Sequence, residues 1–364
     1  MNSLMIYVFM FLTITILYKI AIVMKKKNKY IGFKFFKLLS IIVFAFFVCF
    51  RYNVGTDFFN YMDFYDYCAK IPLKEIFQYR MEPGAIVLYK ISYLISSNPI
   101  TIIYTMSFVI TIATYILLDK IETYYGEKLD SALSLVCFLF LFLPFCLNGM
   151  RQGIAILFGL ISILEFIHDK KKLSFIYLIL AILFHSSAII LLVYFIFYLL
   201  NKKNNVNGRI ILFSFILGII LYLSPTLILK FSFFEKFNIY LTSTSSMINK
   251  SYVVLLLLNL PLFILILLFK NKISNDDSVL SSLWISSQIL YFFCSFSTFL
   301  NRISLYFEVI CLILIPMLLY EKNNKKNYFI KKLLCFAYLF IYFYIHFYIF
   351  KSHSIFPYQN SLFR

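Results

Sequence analysis

Charged residues are scarce in this sequence, and their scarcity excludes an ordinary water-soluble domain. Only 14% of the 364 residues are charged and 62% are hydrophobic, whereas a soluble domain is about a quarter charged and about half apolar. Apolar runs of roughly 15 to 23 residues recur along the chain, and each is about long enough to cross a hydrocarbon core of ~30 Å as a helix. The composition therefore predicts one membrane domain over residues 1–364.

Signatures of nucleotide and metal chemistry are also missing. The sequence contains no phosphate-binding glycine loop, dinucleotide-binding glycine pattern or nucleophile elbow. The seven cysteines lie almost all inside apolar runs, without the close spacing that a zinc site or a redox pair needs. We therefore expect packing cysteines, no metal and no cofactor.

The net charge of +18 indicates membrane topology and not a nucleic-acid partner. Most lysines fall in short gaps between apolar runs, where the positive-inside rule places the cytoplasm. We predict an all-α polytopic protein with about twelve spans: 4–24, 36–50, 98–118, 131–147, 150–168, 173–185, 187–200, 209–224, 251–269, 279–299, 303–320 and 331–350. With the loop at 25–29 in the cytoplasm, alternation places both termini outside.

Lysine and arginine are distributed differently in this scheme. The segments assigned to the cytoplasm hold 21 Lys and Arg residues and the outer segments hold 12. Five of the six arginines fall outside, whereas 20 of the 28 lysines fall inside. Lysine therefore follows the topology, and arginine indicates a function on the outer face.

Two segments need an argument beyond hydropathy. Residues 173–200 form one apolar stretch, but lysines flank both of its ends, so we predict a helical hairpin with His185 at its outer tip. The segment Gly84–Asn98 contains Lys90 and is followed by a proline, which favours a short re-entrant or interfacial segment. Residues 51–97 and about 225–250 remain as the sizeable outer loops.

Arginines at the outer helix ends predict an anion-binding site. Arg51 opens the first outer loop and Arg80 closes it, whereas Arg151 and Arg302 stand at later outer turns. Snorkelling to lipid phosphates is the alternative for any one arginine, but lysine would serve that purpose equally well. Several arginines on one face favour a phosphate or carboxylate that is bound through two parallel N–H groups.

Acid and base candidates on the outer side are Asp57, Glu82, His185 and Glu308. His185 is followed by two serines at the predicted hairpin tip, which is unusual for a histidine that merely packs in a core. Aromatic rings interleaved with carboxylates in the first outer loop are suited to stacking on sugar rings, although interfacial anchoring explains them equally well. His346 and His353, near the end of the last helix, are weaker candidates.

Six short blocks occur in order along nearly the whole chain: Arg51 with Gly55-Thr56-Asp57 and Tyr61, Glu82-Pro83, Asn148 with Arg151-Gln152, His185-Ser186-Ser187-Ala188, Arg302-Ile303 with Tyr306-Phe307, and Pro357-Tyr358. Together these blocks resemble the EpsG-like branch of the Wzy polysaccharide polymerases. Their charged members fall on the face that the lysine distribution assigns to the outside.

The resemblance implies a metal-independent glycosyltransferase of the bacterial plasma membrane that acts on the periplasmic or exterior side. It would join oligosaccharide repeat units carried on undecaprenyl diphosphate into O-antigen, capsule or exopolysaccharide. The resemblance further implies membrane lipids, a flippase and a chain-length regulator as candidate partners.

Site roles follow from that chemistry. His185 and Asp57, followed by Glu82, are the predicted bases for the acceptor hydroxyl. The predicted ligands of the substrate and its diphosphate are Arg51, Arg80, Asn148, Arg151, Gln152, Arg302 and Tyr61. Fixed arginines would stabilise the charge of the departing lipid diphosphate.

Three other functions remain open at this point. Another lipid-carrier glycosyltransferase or ligase would use the same arginines. A lipid-linked oligosaccharide flippase would distribute its charges through a cavity open to both sides. A membrane acyltransferase could use His185 as its base. The sequence does not determine the sugars or their linkage.

Overall fold

The computed structural model describes residues 3–79, 81–201, 206–223, 250–268, 273, 277–294, 298–321 and 324–363. Within these ranges the regular structure is helical and contains no strand, and Arg51 and Asn360 form an isolated antiparallel bridge. The chain is an all-α polytopic membrane protein, as its composition predicts. It packs as two compact units: unit 1 comprises Met1–Phe158, Leu183–His185 and Leu319–Arg364, and unit 2 comprises Gly159–Ile182 and Ser186–Leu318. A single membrane domain over residues 1–364 stays a prediction.

Seventeen α-helices lie in the described residues. The first eight are α1 (Ser3–Lys26), α2 (Tyr30–Cys49), α3 (Phe58–Asp63), α4 (Tyr65–Lys70), α5 (Pro83–Ile95), α6 (Thr101–Tyr125), α7 (Ser131–Cys137) and α8 (Leu143–Asn148). The others are α9 (Met150–Ile167), α10 (Lys171–Phe184), α11 (Ile190–Asn201), α12 (Val206–Leu223), α13 (Lys250–Leu268), α14 (Ser278–Cys294), α15 (Thr298–Glu308), α16 (Cys311–Leu319) and α17 (Lys325–Phe343). Wider π-helical turns follow α7 and α17, at Phe138–Phe142 and Tyr344–Ile349.

Each predicted span coincides with helical structure in its described residues. Seven helical segments there are long and apolar enough to cross a membrane, and shorter apolar helices account for most of the other spans. Three helices extend six or seven residues beyond the predicted spans. The helix predicted at 36–50 begins at Tyr30, the one predicted at 98–118 continues to Tyr125, and the last one begins at Lys325 instead of residue 331. In each case charged residues lie in helix turns beyond the apolar run, where hydropathy gives no signal.

Local signals explain several helix ends. Asp130 precedes α7 and its carboxylate accepts the backbone N–H of Ala132 at 3.2 Å. Asn324 precedes α17 and accepts the N–H of Asn327 at 2.9 Å. Pro83 occupies the first turn of α5, where a missing N–H costs nothing because helix-initial N–H groups have no partner inside the helix.

Unit 1 has one end rich in lysine contacts. Lys19 pairs with Asp130 at 2.7 Å, and Lys37 pairs with Asp119 at 2.5 Å. These pairs bring the end of α6 and the start of α7 beside α1 and the beginning of α2. Lys19, which lies inside the first apolar run, is thereby explained by a carboxylate partner. We call this end of unit 1 the lysine end.

The opposite end of unit 1 contains Arg51 and the turn before Arg151, and the first and last described segments of the chain meet there. The Tyr7 hydroxyl donates to the Ile355 carbonyl at 2.9 Å, and the Tyr358 N–H donates to the Ser3 hydroxyl at 3.1 Å. Arg51 lies at this end, which we call the arginine end. The predicted placement of both termini with the first outer loop is therefore consistent with the helix packing, whereas the side of the membrane stays a prediction.

Membrane orientation can be tested by labelling a cysteine introduced at Asn60, which is exposed at the arginine end. We expect a membrane-impermeant thiol reagent to label Asn60→Cys in intact cells, because the lysine-rich loops predict that this end faces outward. The matched control is a cysteine at Lys128, in the predicted cytoplasmic loop, which should react only after the membrane is opened. The opposite labelling pattern would contradict the predicted topology.

Helix α5 occupies the predicted re-entrant or interfacial segment. Its 13 residues rise about 20 Å, which is short for a ~30 Å hydrocarbon core. It packs beside α4 and α6 in unit 1. Lys90 donates to the Ala69 carbonyl at 2.8 Å, and Tyr89 donates to the Tyr61 carbonyl at 3.0 Å. Lys90 therefore ties α5 to the first outer loop. Placement of α5 in the membrane stays a prediction.

The two arms of the predicted hairpin over 173–200 pack beside α9 within unit 2. The Ser174 hydroxyl donates to the Ser162 carbonyl at 2.9 Å, close to the turn between α9 and α10. Farther along, Leu191 packs against Gly159, and the Phe195 ring stacks on Phe166 with centroids 4.2 Å apart. Helix α11 thus runs beside α9 in the same direction, so the chain has reversed between α10 and α11.

Candidate functional site

Arg51 is completely buried at the arginine end, and its two terminal nitrogens donate to protein acceptors, whereas its buried Nε has no hydrogen-bond partner among the described residues. Nη1 donates to the Val48 carbonyl at 2.6 Å and to the Ser107 hydroxyl at 2.5 Å. Nη2 donates to the Leu147 carbonyl at 3.0 Å and contacts the Met150 sulfur. Burial lowers the pKa of Arg51 to about 10, which leaves it protonated at neutral pH. Arg51 therefore joins α2, α6 and the α8–α9 turn.

The turn Gly55-Thr56-Asp57 is held by Asn148. The Asn148 Oδ1 accepts the Thr56 hydroxyl at 2.8 Å and the Asp57 backbone N–H at 3.0 Å. Gly55 has φ of +100°, and a Cβ there would lie 3.0 Å from the Leu147 carbonyl oxygen. Glycine is therefore required at position 55 by both conformation and close packing. The Asp57 side chain stays half-buried beside this turn.

Arg151 forms an ion pair with Glu82. The Arg151 side chain is 31% exposed and that of Glu82 is 8% exposed. Tyr61 lies beside Arg151, and burial raises the pKa of the Tyr61 phenol above its ordinary value. Unlike Arg51, Arg151 therefore combines a fixed partner with access from outside the protein. It can present N–H donors to an anion while Glu82 holds its position.

His185 follows α10 at the break before the α11 hairpin arm, and it is buried. Leu183 lies against the start of α5, where a Cβ at Gly84 would come within 2.8 Å of the Leu183 carbonyl oxygen. The Glu82-Pro83 block and His185, which are about a hundred residues apart in sequence, are thus brought close together within unit 1 by this glycine contact.

Unit 2 connects two further blocks of the sequence. The Ser187 hydroxyl and the Tyr306 hydroxyl lie 3.0 Å apart, and Tyr306 is fully buried. Arg302 stands one helical turn before Tyr306 and is exposed. A second polar contact in this unit is made by the buried Asn259. Its amide donates to Glu308 at 3.3 Å and to Gln288 at 3.0 Å.

The C-terminal segment after α17 lies on the first outer loop. The Tyr52 N–H donates to the Gln359 carbonyl at 2.9 Å, and the Ser361 N–H donates to the Phe50 carbonyl at 2.7 Å. The Tyr358 ring stacks on a phenylalanine of α2 at 4.7 Å between centroids. This association was not predicted from the sequence, in which the Pro357-Tyr358 block is the available signal.

The predicted site residues therefore fall into two sets. Unit 1 brings together Asp57, Tyr61, Glu82, Asn148 and Arg151, places Arg51 beneath them, and buries Gln152 in the first turn of α9. Arg302 belongs to unit 2. Arg80 and residues 224–249, which include nearly all of the second predicted outer loop, lie outside the described residues. The assigned roles stay predictions.

Across the described residues, no three His, Cys, Asp or Glu side chains form a group that could hold a metal ion.

The model of the EpsG family matches residues 34–360. The chain belongs to the EpsG family. No curated protein and no solved structure matches it.

Membership of the EpsG family indicates a glycosyltransferase-like polymerase that makes polysaccharide. The matched range contains all six blocks on which the resemblance was based. It also contains the C-terminal segment up to the residue that bridges Arg51. The EpsG family match thus covers the first outer loop and the segment packed on it.

Proposed function

We propose that this EpsG-family protein joins oligosaccharide repeat units carried on undecaprenyl diphosphate into a polysaccharide at the outer face of a bacterial plasma membrane. The product would be an O-antigen, a capsule or an exopolysaccharide. The observation that carries the proposal is the accessible Arg151, paired with Glu82 beside Tyr61 at the arginine end. An arginine in this position is suited to donating two N–H groups to an anionic leaving group such as a diphosphate.

The proposed reaction balances without a nucleotide. The acceptor hydroxyl of one lipid-linked unit attacks the anomeric carbon of the chain carried on a second lipid. The glycosidic bond forms as the bond from that carbon to the lipid diphosphate breaks. The hydroxyl proton passes to a base, and the electron pair leaves with the diphosphate.

Protein residues take distinct parts in this reaction. Arg151 stabilises the charge that accumulates on the departing diphosphate. His185 or Asp57 accepts the proton, because Glu82 is engaged with Arg151. Arg51 holds the helices beneath the site, and its buried donors make it a positioning residue in this proposal. Arg302 remains a proposed ligand of the diphosphate.

The proposal predicts which glycans accumulate when the protein is absent. We expect deletion cells to lose long polymer and to accumulate single repeat units on the lipid carrier at the outer face. The lipid-linked units are still delivered there, but they are no longer joined to one another. Mass spectrometry of extracted lipid-linked glycans measures this result. Restoring the wild-type gene is the control.

Each alternative function gives a different pattern in the same experiment. Loss of a flippase would leave single units on the inner face, beyond the reach of an external glycosidase. Loss of a ligase would leave polymer on the lipid carrier, and loss of an acyltransferase would leave polymer of normal length. Any of these patterns would reject the proposed polymerase.

A further inference from the structure

The C-terminal tail carries a turn with an unusual backbone beside the arginine end. Lys351, His353 and Ser354 have φ values of 51°, 64° and 48°. Left-handed conformations are uncommon for residues other than glycine, and they persist where the surrounding contacts determine them. Three such residues within four positions indicate that the turn is held by its contacts with the rest of unit 1.

Two contacts join this turn to the site. The Ser354 carbonyl accepts the Gly55 N–H at 3.0 Å. His353 Nδ1 lies 3.3 Å from Asn148 Nδ2. The His353 ring also packs edge-on against Phe145, with centroids 5.4 Å apart. The tail therefore touches the glycine turn directly and also touches the asparagine that holds it.

The direction of the Asn148 hydrogen bond follows from its other partners. Because the Asp57 backbone N–H can only donate, the Asn148 atom that faces it must be the oxygen. The amide nitrogen of Asn148 therefore faces His353 and donates to Nδ1. Nδ1 must accept, so His353 is the neutral imidazole with its proton on Nε2.

We propose that His353 is a positioning residue for the polymerisation reaction. By accepting from Asn148, it fixes the amide whose oxygen holds Thr56 and Asp57, so that the C-terminal tail completes the site in the same chain. This proposal rests on the proposed function, because its effect is measured as polymer formation. The proposal assigns the C-terminal tail a role in polymerisation that the six sequence blocks do not indicate.

Three substitutions at position 353 separate hydrogen bonding from space filling. Asparagine tolerates a left-handed backbone and places an amide oxygen near the position of Nδ1. Glutamine has the same groups on a longer side chain, which moves its acceptor away from Asn148. Alanine removes the acceptor. Lys351→Asn is the matched control, since Lys351 is exposed and also left-handed.

Polymer formation is measured in deletion cells that express each variant, at equal amounts of protein in the membrane. We expect His353→Ala and His353→Gln to lower the rate by at least about tenfold, because a displacement of about 1 Å can cost up to about a hundredfold. We expect His353→Asn to keep most of the wild-type rate, and Lys351→Asn to keep all of it.

Normal polymer with His353→Ala would overturn the proposal, and so would equal losses in His353→Ala and His353→Asn. If His353→Ala does not reach the membrane, the comparison of His353→Gln with His353→Asn decides. Failure of the proposed function looks different, because deletion cells would then show one of the patterns of the alternative functions, and not single repeat units on the lipid carrier at the outer face.

Discussion

Replacing Arg151 with lysine should reduce polymer formation by about a hundredfold or more while leaving the amount of membrane protein unchanged. Among the described residues of unit 1, Arg151 keeps 31% of its side chain exposed while its ion pair with Glu82 holds it beside Tyr61. Lysine keeps the positive charge but has a single ammonium group in place of the planar fork, so it cannot bind Glu82 and a diphosphate with the same geometry. Loss of one well-placed hydrogen-bond donor to a developing anion lowers kcat by about 10²- to 10³-fold.

The other arginines provide controls for this substitution. Arg51→Lys should lower the amount of folded protein, because Arg51 is buried and its guanidinium donates to four protein atoms. Arg209→Lys should change neither the polymer yield nor the amount of folded protein, because this exposed arginine belongs to a predicted cytoplasmic segment. Polymer yield and membrane protein are measured together by gel electrophoresis and immunoblotting. Near-normal polymer with Arg151→Lys would show that charge alone explains Arg151.

Replacing His185 with alanine should lower the rate of bond formation by about a hundredfold or more, with little change in substrate binding. His185 lies beside the start of α5 through the contact between Leu183 and Gly84. A positioned general base accelerates a reaction by about 10²- to 10⁴-fold, and histidine is the side chain that most often serves as one. Lipid-linked single repeats should therefore accumulate in cells that carry His185→Ala.

Purified protein separates the possible roles of His185. We expect His185→Ala to bind the accumulated lipid-linked unit normally and to form few new glycosidic bonds. His168→Ala is the control, because His168 directly follows α9 and its ring contacts the Leu164 carbonyl of that helix at 2.9 Å. A normal rate would mean that His185 only packs, and Asp57 would become the leading base. A loss of affinity alone would mean that His185 positions a sugar or a phosphate.

Hydropathy and charge predicted the helices of this protein well, because both are local properties of the sequence. An apolar run long enough to cross the bilayer must satisfy its backbone groups internally, and it therefore forms a helix wherever it packs. The hairpin at His185 followed from the lysines at both ends of one apolar run, since charge decides which side of the membrane each end occupies. The order of the motif blocks likewise needed no structure, and it identified the family.

Only the tertiary structure distinguished residues that look alike in the sequence. Arg51 and Arg151 both stand at helix ends on the same predicted face, yet one is buried among carbonyl groups and the other is accessible. Contacts from distant segments determine this difference, because Ser107 and Leu147 are brought to Arg51 by helix packing. The sequence by itself determined the apolar helices and the family. The tertiary structure decided which polar groups contact each other. Asn148 and His353, for example, are 205 residues apart in sequence, and local sequence patterns carry no information about contacts over that separation.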